Sequence, residues 1–160
     1  MKIEDILKED CIIERLEAGT REEALTIMSN KLLSMGYVKD SFPAAILERE
    51  RFYPSGLPME GHKIAIPHTD AEHVHKSVIL FARLAQPLEF SSMGDPDEKL
   101  EVHLISMFAL AEKKAIGAML EALITAYSNN DVLEAILKAS SGKEIYDILF
   151  KTVGAQLKES

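Results

Sequence analysis

Two apolar runs, residues 74–84 and 102–110, constrain the fold more than any other part of the chain. Hydrophobic residues fall on both faces of each run, so both faces must be covered by protein. Such strands belong at the centre of a sheet with helices on either side. The flanking sequence supplies the helices. Thr20-Arg21-Glu22-Glu23 has the form of a capping box, and Leu25, Met28, Leu32 and Leu33 follow at helical spacing until Gly36 closes the helix. A second helix is predicted from Asp40 or Ser41, with Pro43 in its first turn and an apolar stripe of Phe42, Ala45 and Ile46 that leads to Arg49. The last third is predicted helical over 113–127, 131–138 and 143–151, with Ser/Asn-rich and Ser/Gly-rich breaks between. Near the N-terminus the pattern predicts a helical turn over 3–8 and a strand over 11–14. Residues 91–98, Ser-Ser-Met-Gly-Asp-Pro-Asp-Glu, are predicted to be a polar hairpin loop. The whole, residues 1–160, is expected to be one α/β domain: a mixed β-sheet flanked by α-helices.

Composition narrows the function. Apolar residues make up 47% and charged residues 28% of 160, an ordinary globular balance. No apolar run approaches the ~20 residues that span a bilayer, and the N-terminal Met1-Lys2-Ile3-Glu4-Asp5 has no signal-peptide character. The single cysteine, Cys11, fits a reducing cytoplasm and, beside Ile12 and Ile13, is expected to be a buried small hydrophobe. A net charge of −8 argues against nucleic acid and suits a basic protein partner.

The chemistry concentrates around Ile64-Ala65-Ile66-Pro67-His68-Thr69-Asp70. A short strand runs into Pro67, which has a fixed φ and no N–H, so His68 is mounted on something rigid. A neutral imidazole is a competent nucleophile near pH 7. Upstream, Pro54, Gly56, Pro58 and Gly61 mark an irregular loop, and Leu57, Pro58 and Met59 are candidates for an apolar ring around the histidine. Arg49, just before that loop, offers a planar guanidinium able to hold two phosphate oxygens; the competing reading is an arginine whose stem covers apolar neighbours. His62, His68, His73 and His75, with Asp70 and Glu72, invite a zinc reading, but no H-E-x-x-H helix or Cys pair accompanies them. His103 is expected to be a partly buried structural residue. Neither a G-x-S-x-G elbow nor a phosphate-cradling Gly-rich loop is present, so any phosphate on His68 is expected to come from a protein.

Ile46-Leu47-Glu48-Arg49-Glu50, the loop, and Ile64-Ala65-Ile66-Pro67-His68 resemble the fructose/mannitol-type IIA domain of the bacterial sugar phosphotransferase system. The stretch from Glu48 to Leu57 most resembles the galactitol-specific branch. The resemblance implies a cytoplasmic protein-histidine phosphotransferase without metal or other cofactor. It would accept a phosphoryl group from the carrier protein HPr and pass it to a IIB protein, with a membrane IIC component taking up the sugar. It places His68 as phosphoacceptor through Nε2, and Arg49 as the arginine that assists the phosphohistidine. Mannitol-type members carry a second histidine at about the position of Ala115, which this chain lacks. His62, Thr69 and His73 are candidates to replace it. Two alternatives remain: a nitrogen-related regulatory IIA that signals by its phosphorylation state, and, from another class, a small zinc-dependent hydrolase using His68, His73 and His75.

Overall fold

The computed structural model describes residues 1–158. In chain order it contains α1 (Ile3–Ile6), β1 (Ile12–Leu16), α2 (Arg21–Ser34), α3 (Phe42–Phe52), β2 (Ile64–Ala65), β3 (Val78–Ser92), β4 (Asp95–Ala109), α4 (Ile116–Tyr127), α5 (Asn130–Lys138) and α6 (Gly142–Lys158). The sheet order is β1-β3-β4-β2. β1 lies parallel to β3 and β2 parallel to β4, while β3 and β4 form an antiparallel hairpin, so the sheet is mixed.

The two apolar runs fall in the two central strands, the first only from Val78 onward because 74–77 lie in the turn before β3, and their side chains alternate between two cores. Ile79, Phe81, Leu104 and Phe108 face the layer of α1, α4, α5 and α6. Val78, Leu80, Ala82, Val102, Ile105 and Met107 face α2 and α3. Helices on both faces explain why neither strand shows a polar side in this stretch.

The capping box forms in a shifted version. Thr20 Oγ1 accepts from the Glu23 N–H at 3.1 Å, and the Glu23 carboxylate reaches back to the N–H of Gly19, at 3.0 Å, instead of that of Thr20. Gly36 ends the helix with φ +83°. Cys11 is fully buried, and burial pushes its thiol up to about 11.

Residues 91–98 are not a loop. β3 and β4 continue into them and turn over Met93 and Gly94 alone, Gly94 supplying φ +87°. The polar character is that of a two-stranded arm projecting past the sheet, with Leu88, Phe90 and Leu100 on its buried face. Pro87 falls where the β3–β4 register shifts, a place that does not need its N–H. The stripe of α3 also differs from the expected one: Phe42, Ile46 and Glu50 are buried, and Arg49 flanks them half-exposed.

Candidate functional site

The segment between α3 and β2 is irregular in conformation but closely held. Ser55 donates its N–H to Glu50 Oε2 at 2.8 Å and its hydroxyl to Glu50 Oε1 at 2.6 Å. Gly56 donates to the Ser91 carbonyl and accepts from Met93 N–H, which fastens the segment to the tip of the hairpin. Ser55 and Leu57 then pair with the outer side of β2: Ile66 N–H donates to the Ser55 carbonyl at 3.0 Å and Leu57 N–H to the Ile64 carbonyl at 2.9 Å. Leu57 is buried in the core, so of the expected apolar ring it belongs to the interior.

β2 delivers His68 to the end of the ladder. Pro67 cannot donate, but its carbonyl accepts from Phe108 N–H at 3.1 Å, so the β4 side stays paired up to the histidine. The His68 ring stacks on that of Phe108, with centroids 4.6 Å apart and planes 12° from parallel. Its Nδ1 lies 3.0 Å from the Ile66 carbonyl oxygen. A carbonyl only accepts, so Nδ1 carries the proton and Nε2 keeps the lone pair. Burial lowers the imidazole pKa below its ordinary value, and the nearby Arg49 charge adds to this; the Ile66 carbonyl and Asp70 act the other way. The neutral form is thereby favoured.

Arg49 reaches the same place from α3. Its guanidinium carbon lies 4.8 Å from the centroid of the Tyr53 ring, and Nη1 lies 3.7 Å from Asp70 Oδ1. Nε is buried and has no hydrogen-bond partner, an unsatisfied donor beside the site. Arg49, Thr69, Asp70 and His73 line a shallow depression of about 270 Å³ with Ala45, Glu48, Phe52 and Tyr53. Phe52 and Tyr53 are 62% and 67% exposed, the two largest apolar surfaces beside the site.

The candidate supporting residues separate. Thr69 is buried next to His68. His73 lines the depression, with Nδ1 2.7 Å from Ser41 Oγ. His62 is elsewhere: its ring meets His103, five residues before Phe108 on β4, about 17 Å away by strand rise. His103 is half-buried, and its Nδ1 has no partner. Ala115 sits in a short turn before α4. Among the described residues the contacts given for the His68 ring are the Ile66 carbonyl and the Phe108 ring. Glu50 and Phe108 were not singled out by sequence. The signal for Glu50 was its spacing, eight residues after Phe42 and four after Ile46 on one helical face.

Among the described residues no group of three or more His, Cys, Asp or Glu side chains could hold a metal ion. His75 is exposed. No helix of the described residues is long and apolar enough to cross a membrane.

Residues 5–152 match the family described as "Phosphoenolpyruvate-dependent sugar phosphotransferase system, EIIA 2". The chain is 31% identical over 117 residues to the galactitol-specific EIIA component of Escherichia coli K12, covering 73% of this chain and 77% of that protein. It is 32% identical over 137 residues to the fructose-specific EIIA component of Haloferax volcanii, covering 84% and 86%. Among solved structures, a complex of mannitol enzyme IIA with phosphorylated mannitol enzyme IIB from Escherichia coli matches with a TM-score of 0.73 and 25% identity, over 90% of this chain and 98% of that one.

Proposed function

The chain belongs to the EIIA 2 family of the phosphoenolpyruvate-dependent sugar phosphotransferase system, and from that premise we propose that His68 Nε2 is the atom that takes up and passes on the phosphoryl group. The observation that carries this reading is the Nδ1 bond to the Ile66 carbonyl, which leaves Nε2 with a free lone pair on a buried, neutral ring.

The chain is a IIA component, a phosphoryl-transfer protein. Its donor in this reading is phosphorylated HPr and its acceptor a IIB protein, in the cytoplasm, over residues 1–160 as one IIA domain. As the donor's bond to phosphorus breaks, the Nε2 lone pair forms the new N–P bond. The imidazole becomes cationic with its proton still on Nδ1, facing the Ile66 carbonyl dipole. Phosphoryl transfer passes through a loose transition state, so placement and charge stabilisation do most of the work. Arg49, close enough for its charge to act on His68, supplies the positive charge for the phosphoryl oxygens. The onward step reverses the roles: the acceptor attacks phosphorus and neutral His68 leaves. Phe52 and Tyr53 give both partners an apolar rim on which to dock in turn. The sugar-named relatives favour transport over the regulatory alternative, and galactitol or a similar polyol is the sugar this reading assigns.

The test is incubation with phosphorylated HPr and mapping of the acid-labile, base-stable phosphate. Label is expected on His68 and absent from His68→Ala, while His62→Ala still accepts it. Label that persists in a folded His68→Ala protein would overturn the assignment.

A further inference from the structure

Glu50 is a carboxylate where an apolar side chain would be expected. It occupies the core-facing stripe of α3 with Phe42 and Ile46, and it is 7% exposed. Burying a carboxyl group is costly unless it is well hydrogen-bonded, and a helix stripe needs no carboxylate for packing. Both of its oxygens are used on one residue, Ser55, through the backbone N–H and the hydroxyl. The other charged groups around it are Arg21 and Glu22 of α2 and Arg51 of α3, which line a cleft of about 350 Å³ with it; none makes an ion pair with Glu50 among the described residues.

From Ser55 the connection runs to the histidine. The Ser55 carbonyl accepts from Ile66 N–H, and the Ile66 carbonyl accepts from His68 Nδ1. Ile66 is thus held on one side by Ser55 and directly supports the imidazole on the other. β2 itself is only two residues long; on its inner side the ladder to β4 continues through Phe108 N–H and the Pro67 carbonyl, and on its outer side the Ser55 segment is what holds Ile66. We propose that Glu50 is a positioning residue for His68: by clamping Ser55 it holds the Ile66 carbonyl against Nδ1, and so keeps the proton on Nδ1 and the lone pair on Nε2. The role in transfer rests on the reading of His68 as phosphoacceptor, but the placement of the proton does not.

The experiment uses Glu50→Ala, Glu50→Gln and Ser55→Ala in the full chain. Nitrogen-15 spectra of the His68 ring report the tautomer directly, and phosphorylation by phosphorylated HPr reports the rate. The unmodified chain should show a single Nδ1–H tautomer. Glu50→Ala should give mixed tautomers and a rate lower by about 10- to 100-fold, the scale of a small misplacement of a reacting group. Glu50→Gln should restore the single tautomer and most of the rate, because its amide oxygen can accept from Ser55 N–H while its NH₂ donates to the Ser55 hydroxyl. A folded Glu50→Ala protein with an unchanged tautomer overturns the proposal, as does a Gln variant as impaired as the Ala one. If Glu50→Ala does not fold, Ser55→Ala decides: it removes one arm of the clamp and should shift the tautomer in the same direction, and an unchanged tautomer overturns the proposal. Should the tautomer respond while no phosphate reaches His68 in the unmodified chain, the positioning stands and the phosphoacceptor reading falls.

Discussion

Below its ordinary pKa of about 6.5 an imidazole in water is mostly protonated and has no lone pair to offer phosphorus. Burial beside Arg49 moves that threshold for His68 to lower pH. Phosphoryl acceptance should therefore stay level from pH 8 down through 6.5 and decline only below it, as measured in a pH–rate profile with saturating donor. The same shift has a stability consequence of definite sign. Near and below 6.5 the unfolded chain binds a proton that folded His68 refuses, so this contribution is complete above 6.5 and is lost as pH falls. Glu50 runs the opposite way. Burial raises its carboxyl to about 7, against the Ser55 bonds and the Arg21 charge that lower it and with Glu22 adding to the rise. The folded chain then holds a proton that the unfolded one has lost, and stability should fall as pH rises from about 4.5 to 7 and level off above. Denaturant melts across that range should show the slope in the unmodified chain and a flatter one in Glu50→Gln. Arg49→Ala should slow acceptance by about 100-fold, the scale of losing one preorganised donor, while costing the fold about 1 kcal/mol or less through the lost Tyr53 stacking. Unfolding at an unchanged transfer rate would show Arg49 to be a covering side chain. His68 was legible because Pro67 announces it. Glu50 was not, since a carboxylate after Ile46 reads as the solvated end of a helix until Ser55 is seen to answer it.

At the scale of elements, the site depends on one close approach. A methyl group on Gly56 would lie 2.7 Å from the backbone oxygen of Ser91 and 3.1 Å from Leu100 Cδ1. The backbone oxygen belongs to the hairpin and cannot swing aside as a side chain can. Gly56→Ala should therefore push the 54–57 segment away from the arm, costing roughly 1–3 kcal/mol as overpacking does, and slow phosphoryl acceptance because that segment pairs with β2. A urea melt and the labelling assay would read the two effects together; a protein of unchanged stability would show the segment to be more yielding than the hairpin bonds imply. The helices were readable from spacing and caps, as α2 shows with Thr20 before it and Gly36 after it. The arm was not, because Ser91, Asp95, Pro96 and Asp97 carry turn chemistry across a region where the ladder continues. Its alternating Leu88 and Phe90, opposite Leu100 and Val102, was the period-two signal that the polar residues masked.

The whole molecule is a sheet between two helical layers, and the site lies at the β2 edge where they meet: Phe108 belongs to the core under α4, Arg49 to the layer of α3. The opposite side of the sheet carries a separate fastening. Arg83 on β3 donates to the carbonyls of Glu14 at 3.0 Å, Ile136 at 2.9 Å and Ala139 at 2.7 Å, tying β1, β3 and the C-terminal end of α5 with one guanidinium. Its charge also complements the carbonyl end of α5. Sequence could not reveal this, since an arginine at the end of an apolar run reads as the point where the strand reaches water; the carbonyls that cover it come from 53 and 56 residues further on. Arg83→Leu should remove the donor to all three carbonyls; that of Glu14 is open to water, so the cost is about 2–6 kcal/mol, at roughly 1–3 kcal/mol for each of the two half-buried carbonyls of Ile136 and Ala139. Arg83→Lys should recover little, because one ammonium lacks the planar fork that spans Glu14 and Ala139. Arg83 pairs across the ladder with Leu104, four residues from Phe108 and so about 13 Å along β4 from the His68 stack. The folded fraction should therefore accept phosphate at the normal rate. A urea midpoint lowered at constant slope, with labelling per folded molecule intact, is the expected pair of results. Loss of labelling in a fully folded Arg83→Leu protein would show instead that the α5 side of the sheet sets the position of β4 at His68.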